Sequence, residues 1–110
     1  MGGSRLLWAD TNAREGIHRS TLVRFTPKSV TTEQYDQVMR KLDKSGDWLP
    51  DGLEYHVAFG TNGNVRVSEI WDSKEQFDAF GKRLMPLLKE SGIELSGPPE
   101  LIEIHNIEKR

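Results

Sequence analysis

The feature that most constrains the fold is a pair of strand-like runs joined by an Asn-Gly dipeptide. The runs LEYHVAFG and VRVSEIW, on either side of TNGN, are rich in β-branched and aromatic residues. Asn62-Gly63 between such runs is a strong hairpin signal, because a tight turn of this kind requires positive φ at both central positions. The two runs are therefore predicted to form an antiparallel hairpin.

A two- or four-residue loop centred on Asn62-Gly63 sets the register of this hairpin. The predicted opposed pairs are Gly60 with Val65, Ala58 with Val67, His56 with Glu69, and Glu54 with Trp71. Directly opposed residues share a face of the sheet, so His56, Glu69 and Trp71 would lie together. A three- or five-residue loop would break this arrangement, because a slip of one residue exchanges the two faces.

Two segments have the apolar spacing of amphipathic helices. The first has Thr31 as a candidate N-cap, Gln34 in capping-box position and Gly46 as the predicted end. The second begins at Asp72 or Ser73. It has an apolar stripe of Phe77, Phe80, Leu84 and Leu88, and is predicted to close at Gly92.

Proline residues interrupt two of the predicted elements. Pro27 is predicted to end the first strand, residues 19–26, because it lacks an amide donor. Pro86 lies inside the second helix, where a kink or break near residues 82–85 is expected.

With a last strand at LIEIHNI, the predicted element order is β-α-β-β-α-β. This is the ferredoxin-like α+β pattern, with an antiparallel sheet in the order 4-1-3-2 and both helices on one face. Residues 18–110 are predicted to form this single domain, and residues 1–17 a poorly ordered arm or an expression remnant. The strands also carry apolar residues on the face away from the helices. We therefore expect a homodimer packed sheet to sheet.

Composition excludes several functional classes. The chain has 15 Lys and Arg against 17 Asp and Glu, for a formal charge of −2, so a nucleic-acid partner has no electrostatic support. The absence of cysteine excludes disulfides, thiol catalysis and thiolate metal sites, and fits a cytoplasmic location. No apolar run approaches the roughly 20 residues that cross a bilayer, so no membrane partner is expected. The three histidines lack metal-ligand spacing, so no metal site is expected either.

The candidate site centres on His56 and Glu69, whose Cβ atoms should lie about 5 Å apart. A carboxylate at that position would orient the imidazole, and Trp71 beside it would supply an aromatic wall. This combination is typical of a general base in an aromatic-lined pocket. The alternative interpretation is a cross-strand ion pair on a partly solvated sheet.

Four further residues are candidates for substrate binding. Phe77 and Phe80 belong to the buried stripe of the second helix, between helix and sheet. Arg24 is a cation on a central strand, where it would meet an anion such as a phenolate or carboxylate, or pair with Glu69 or Glu103. His105 lies on the last strand, and its face depends on the register of that strand.

The stretch VSEIWDSKEQFDAF resembles the dimeric α+β barrel superfamily, and in particular its antibiotic biosynthesis monooxygenase-like domains. The matching residues are Trp71, Asp72, Ser73, Glu75 and Phe77. The resemblance implies a homodimer with a pocket in each subunit between the sheet and the helices. Members of the superfamily include cofactor-independent oxygenases, haem-degrading oxygenases, isomerases and polyketide cyclases. The haem-degrading branch uses a histidine of the second helix, and residues 73–92 contain none, so haem degradation is not expected.

Two functional hypotheses follow. In the first, the chain is a cofactor-independent monooxygenase-like enzyme acting on a small aromatic or polyketide-like compound. His56 removes a phenolic or α-carbonyl proton, and the carbanion reacts with oxygen or cyclises, as in a polyketide cyclase or isomerase, without metal or flavin. In the second, the chain is a non-catalytic dimeric ligand-binding or structural module.

Overall fold

The computed structural model describes residues 20–110, so the predicted arm at residues 1–17 lies outside the described part. The elements are β1 (Thr21–Arg24), β2 (Pro27–Lys28), α1 (Thr32–Ser45), β3 (Leu53–Phe59), β4 (Arg66–Trp71), α2 (Lys74–Glu90), β5 (Glu94–Leu95) and β6 (Glu100–Glu103). Within these residues, neither helix is long and apolar enough to cross a membrane.

The main sheet is four-stranded and antiparallel, in the order β3-β4-β1-β6. If the short strands β2 and β5 are set aside, this is the predicted order 4-1-3-2, which confirms the ferredoxin-like α+β prediction. Strands β2 and β5 form a separate two-stranded ribbon, in which Pro27 lies opposite Leu95. The prediction for Pro27 was therefore wrong, because Pro27 opens a short second strand at an edge, where its missing donor costs no ladder bond.

The last strand is also shorter than predicted. Strand β6 ends at Glu103, and the chain beyond it adds no ladder to the main sheet. The predicted strand over residues 101–107 rested on alternating apolar residues, but residues 104–107 lie past the end of β1, which begins at Thr21 opposite Glu103. Beyond the Ile104 amide, which donates to the Ser20 carbonyl at 3.2 Å, they have no described strand against which to pair.

Helix α1 begins and ends where the sequence signals place its caps. The Thr31 hydroxyl accepts from the Gln34 amide, the Gln34 side chain accepts from the Thr31 amide, and Gly46 closes the helix with φ of 84°. This capping box satisfies two amide donors that an uncapped helix would leave free. It also fixes the first turn of α1, which carries Tyr35.

Helix α2 is capped by Ser73, which selects one of the two predicted starts, and it runs unbroken to Glu90. Gly92, with φ of 74°, follows the helix in a Schellman arrangement, since the amide of Ile93 donates to the Leu88 carbonyl. The predicted break at Pro86 is absent. Pro86 is exposed, so water can reach the carbonyl that its missing donor leaves free.

The hairpin keeps the predicted register at the site and departs from it at one end. His56 lies opposite Glu69 and Ala58 opposite Val67, as predicted. The predicted pairing of Glu54 with Trp71 is wrong, because Leu53 takes that place and Glu54 is the extra residue of a β-bulge.

The hairpin loop contains a tight turn centred on Asn62-Gly63, since the Asn64 amide donates to the Thr61 carbonyl at 2.8 Å, but it is not the predicted turn with positive φ at both central positions. Strands β3 and β4 are joined by residues 60–65, and within Asn62-Gly63 only Gly63 has positive φ, at 88°. Asn62 instead accepts a hydrogen bond from the Thr32 amide at 3.0 Å, which ties the loop to the start of α1. The loop has an even number of residues, as the predicted loop did, so the faces of the two strands are unchanged.

The core lies between the sheet and the two helices. Its buried members are Val23, Val38, Leu42, Trp71, Phe77, Phe80 and Leu84. The opposite face of the sheet is open, and it carries Tyr55, Val57, Phe59 and Ile102, which are 38%, 52%, 48% and 42% exposed.

The bulge residue Glu54 forms a hydrogen-bonded carboxyl pair with Asp72 at the end of β4. The bond to Asp72 and partial burial raise the pKa of Glu54 to about 7, against the lowering influence of Lys109 and Ser20. The neutral form of Glu54 is therefore favoured in the folded state, which contributes stability below the unfolded pKa of 4.5.

We expect the free energy of unfolding to fall as the pH rises from about 4.5 to about 7, because the folded state must release a proton that the unfolded state has already lost. In Glu54→Gln this part of the pH dependence should disappear. Urea titrations at several pH values in this range measure the difference. Glu33→Gln, which removes an exposed carboxyl from α1, is the control and should keep the wild-type slope. A wild-type slope in Glu54→Gln would contradict the assignment.

Candidate functional site

A cavity lies between the helix-facing side of the sheet and the two helices. It has a volume of about 70 Å³, measured as the space open to the centre of a water molecule, whereas one water needs about 10–15 Å³ by this measure. The lining side chains are Phe25, Pro27, Val30, Tyr35, Val38, Met39, Leu42, Trp48, His56, Val65, Val67, Glu69, Phe80, Leu84, Leu88, Ile93 and Leu95. Within residues 20–110, the lining contains no Lys or Arg, and its polar groups are confined to Tyr35, Trp48, His56 and Glu69.

Glu69 is the buried acid of this region, with 3% of its surface exposed. Strand alternation turns it toward the helices, where its two oxygens accept from different donors. Oε1 accepts from the Trp71 indole N–H at 2.9 Å, and Oε2 lies 2.7 Å from His56 Nδ1. A buried carboxylate without partners would be costly, so these two bonds are what allow a charge here.

His56 is held on every side. Its Nδ1 faces Glu69, its Nε2 lies 2.7 Å from the Tyr35 hydroxyl, and the Trp48 ring meets it edge-on with centroids 4.9 Å apart. The Tyr35 ring also stacks on the imidazole at 5.9 Å. Strand β3 therefore supplies the imidazole, β4 the carboxylate and α1 the phenol of one hydrogen-bonded chain.

Tyr35 is the site residue that the sequence analysis missed. Its helical spacing places it in one apolar stripe with Val38, Met39 and Leu42, and nothing in that spacing distinguishes it from these neighbours. Burial raises the pKa of Tyr35, and the carboxylates of Asp36 and Glu69 raise it further, so the phenol stays protonated at neutral pH. A usable signal was the hydroxyl itself, because a Tyr in a buried stripe needs a polar partner on the facing sheet.

The structure separates the predicted site residues into three groups, of which two lie in or behind the cavity. His56, Glu69 and Phe80 line the cavity. Trp71 and Phe77 lie behind it in the core with ring centroids 5.6 Å apart, and Trp71 meets the lining through its bond to Glu69 and through the Phe80 ring, at a centroid distance of 5.5 Å.

Arg24 and His105 lie away from the cavity. Arg24 is exposed and lies 3.5 Å from Glu100 on the neighbouring strand, instead of pairing with Glu69 or Glu103 as the sequence analysis expected. Its neighbour Val23 occupies the core face opposite Glu69, so alternation turns Arg24 to the open face. His105 is exposed and follows the end of β6. Among residues 20–110, no three His, Asp or Glu side chains cluster closely enough to hold a metal ion.

Comparison with known proteins supports the fold alone. No family model matches the chain, and no curated protein matches it. A protein of unknown function from Nitrosomonas europaea is 15% identical, with a TM-score of 0.50 over 84% of this chain and 94% of the other.

Two further solved structures align less closely. A conserved protein from Methanosarcina mazei is 16% identical, with a TM-score of 0.49 over 78% of this chain and 91% of its own. A protein from Mycobacterium tuberculosis is 14% identical, with a TM-score of 0.46 over 84% and 97%. The similarity to the Nitrosomonas protein is that of a small α+β fold, and it carries no information on activity.

A double-mutant cycle measures how strongly His56 and Glu69 are coupled. For His56→Ala and Glu69→Gln we expect a coupling free energy of about 1.5–3 kcal/mol in urea unfolding, because the two side chains are only 14% and 3% exposed and the bond involves a charge. The matched control is the exposed pair Arg24 and Glu100, for which we expect at most about 1 kcal/mol. Equal couplings in the two cycles would contradict the assignment of a buried hydrogen-bonded chain.

Proposed function

We propose that this chain is a homodimeric α+β-barrel protein of the antibiotic biosynthesis monooxygenase-like kind. It binds a small aromatic or polyketide-like compound in the cavity and uses His56 as a general base without a cofactor. The observation that carries the proposal is the chain of hydrogen bonds from Trp71 through Glu69 and His56 to Tyr35, beside an apolar cavity. A general base needs an oriented ring and a means of stabilising its charged form, and Glu69 provides both.

The charge of the cavity favours an uncharged compound. Its described lining has no cation to pair with a carboxylate or phosphate, and Glu69 would repel either. The earlier expectation that Arg24 meets an anion loses its support, because Arg24 lies on the open face. The volume of about 70 Å³ is smaller than the roughly 150 Å³ of an engineered apolar cavity that holds benzene, so the space takes at most one ring, and only if its walls move apart on binding.

In the proposed reaction, a phenolic or α-carbonyl proton leaves the bound compound and His56 becomes an imidazolium beside the Glu69 carboxylate. The carbanion then reacts with dioxygen or cyclises. The apolar walls exclude water, so the ion pair of His56 and Glu69 is only weakly screened and would be stronger than in solution.

A second candidate is a ligand-binding module without chemistry. The observation in its favour is that both nitrogens of His56 already have partners within the protein, which is also what a structural histidine needs. The two candidates differ in whether a bound compound is turned over.

The proposed dimer uses the open face of the sheet. Tyr55, Val57, Phe59 and Ile102 are large apolar side chains with 38–52% of their surface exposed. Three of them form a row along β3 at one edge of the sheet, and Ile102 lies on the same face of β6 at the other edge. A second copy packed on this face would remove that surface from water, which stabilises the dimer by about 25 cal/mol for each Å² of apolar surface buried.

We expect Val57→Asp to shift the protein to monomer at micromolar concentration, because the substitution places a charge in the apolar row of β3 that the proposed interface would cover. Size-exclusion chromatography with light scattering measures the mass. The control is Ala79→Asp, which adds the same charge on the exposed side of α2 and should leave the dimer intact. A wild-type protein that is monomeric throughout would contradict the dimer.

For any compound found to be turned over, we expect His56→Gln to lower kcat by about 10²–10⁴-fold, since the amide can hydrogen-bond but cannot take up a proton. His105→Gln, which alters an exposed imidazole away from the cavity, should leave kcat unchanged. Unchanged turnover in His56→Gln would remove His56 from the mechanism. Compounds that bind the wild-type protein and are never consumed would favour the non-catalytic module.

A further inference from the structure

The ring nitrogens of His56 are both blocked from the cavity by the protein itself. Nδ1 is 2.7 Å from Glu69 Oε2, and Nε2 is 2.7 Å from the Tyr35 hydroxyl. A compound in the cavity therefore meets the tyrosine before it can meet the lone pair of the imidazole. Access to His56 requires either that Tyr35 moves or that Tyr35 takes part.

The backbone that carries Tyr35 is tied down at three points. The capping box of Thr31 and Gln34 closes the first turn of α1, the Thr32 amide donates to Asn62 in the hairpin loop, and the Gln34 side chain donates to the Gly92 carbonyl at 3.2 Å. These bonds connect the turn to the sheet and to the end of α2. Tyr35 is therefore a fixed part of the site.

With Glu69 ionised and His56 neutral, the direction of every hydrogen bond from Trp71 to Tyr35 is fixed. The Trp71 indole N–H donates to Oε1 of Glu69, and an ionised carboxylate can only accept, so Oε2 receives a hydrogen from His56 Nδ1. A neutral imidazole with a hydrogen on Nδ1 has an acceptor at Nε2. The Tyr35 hydroxyl consequently donates to Nε2, and its oxygen keeps lone pairs that are free to accept.

We propose that Tyr35 is the residue that contacts the ligand, accepting a hydrogen bond from a hydroxyl of an uncharged compound and relaying its proton to His56. The proposal rests on the function proposed above and adds the polarity of the ligand. A compound must donate a hydrogen bond to be recognised, so an ether or hydrocarbon of the same shape binds less well.

The relay conserves atoms and charge. The hydroxyl proton of the ligand moves to the Tyr35 oxygen while the Tyr35 proton moves to His56 Nε2. The products are an anionic ligand, a neutral tyrosine and an imidazolium paired with the Glu69 carboxylate. The new O–H of Tyr35 then points at the anionic oxygen of the ligand and donates to it, which stabilises the anion.

Binding of three probes tests the inference: p-cresol, 4-methylanisole and toluene, followed by calorimetry or by tryptophan fluorescence. We expect the wild-type protein to bind p-cresol about tenfold more tightly than the other two, as one hydrogen bond in an apolar site allows. In Tyr35→Phe this preference should fall to about twofold or less. An undiminished or larger preference in Tyr35→Phe would overturn the relay, because the cresol would then be bonding to His56 directly.

A second variant reverses the direction of the hydrogen bonds at His56 without removing Tyr35. In Glu69→Gln the amide oxygen stays with the Trp71 N–H, so the amide NH₂ faces His56 Nδ1 and moves the imidazole hydrogen to Nε2. His56 then donates to Tyr35, whose own hydrogen is free to point into the cavity. We expect the affinity for 4-methylanisole, a hydrogen-bond acceptor, to become about tenfold higher than the affinity for toluene in this variant. The change of tautomer should be visible in the ¹⁵N spectrum of His56.

An absence of that gain, with the tautomer changed, would overturn the relay. Failure of all three probes to bind the wild-type protein at millimolar concentration would overturn the ligand site itself, and the relay with it. The proposed function and the relay therefore fail in different ways.

Discussion

The buried carboxylate of Glu69 is the constraint on which the site depends. A charge with 3% exposure needs donors, and the two that it has come from Trp71 of its own strand and from His56 of the neighbouring strand. Removal of either would leave the acid underbonded in an apolar layer. The same requirement explains why Trp71, although it lies behind the cavity, matters to the chemistry, since its indole occupies one oxygen of the acid and leaves the other for His56.

The His56–Glu69 pair could be predicted from sequence because it depends only on whether the hairpin loop has an even or an odd number of residues. The Asn62-Gly63 signal suggested a turn with positive φ at both positions, and the turn that forms has it only at Gly63, yet the loop has an even number of residues as predicted. An even change in loop length preserves the faces of both strands. The helix caps were predictable for a similar reason, because Thr31, Gln34 and Gly46 act within one turn of chain.

The sequence could not reveal what depends on contacts between distant segments. Tyr35 contacts His56 across a sequence separation of 21 residues. The helical period of α1 gives no information on which strand the hydroxyl of a tyrosine would face. The bulge at Glu54 was missed because an uninterrupted ladder is the simplest continuation from the turn, whereas pairing of Leu53 with Trp71 buries an apolar residue. Arg24 was interpreted through its central strand, although its face followed from its neighbour Val23.

The alternation of side chains along β3 determines which kinds of mutation this strand can accept. The cavity and the open apolar face are built from interleaved positions of one strand, with His56 on one side and Tyr55 and Val57 on the other. Substitutions can therefore alter one surface while the other keeps its residues. A single insertion within the strand would exchange the two sets together, burying the apolar face and exposing the imidazole. This segment thus tolerates substitutions but not insertions or deletions. The exception is Glu54, where the ladder already accommodates one extra residue.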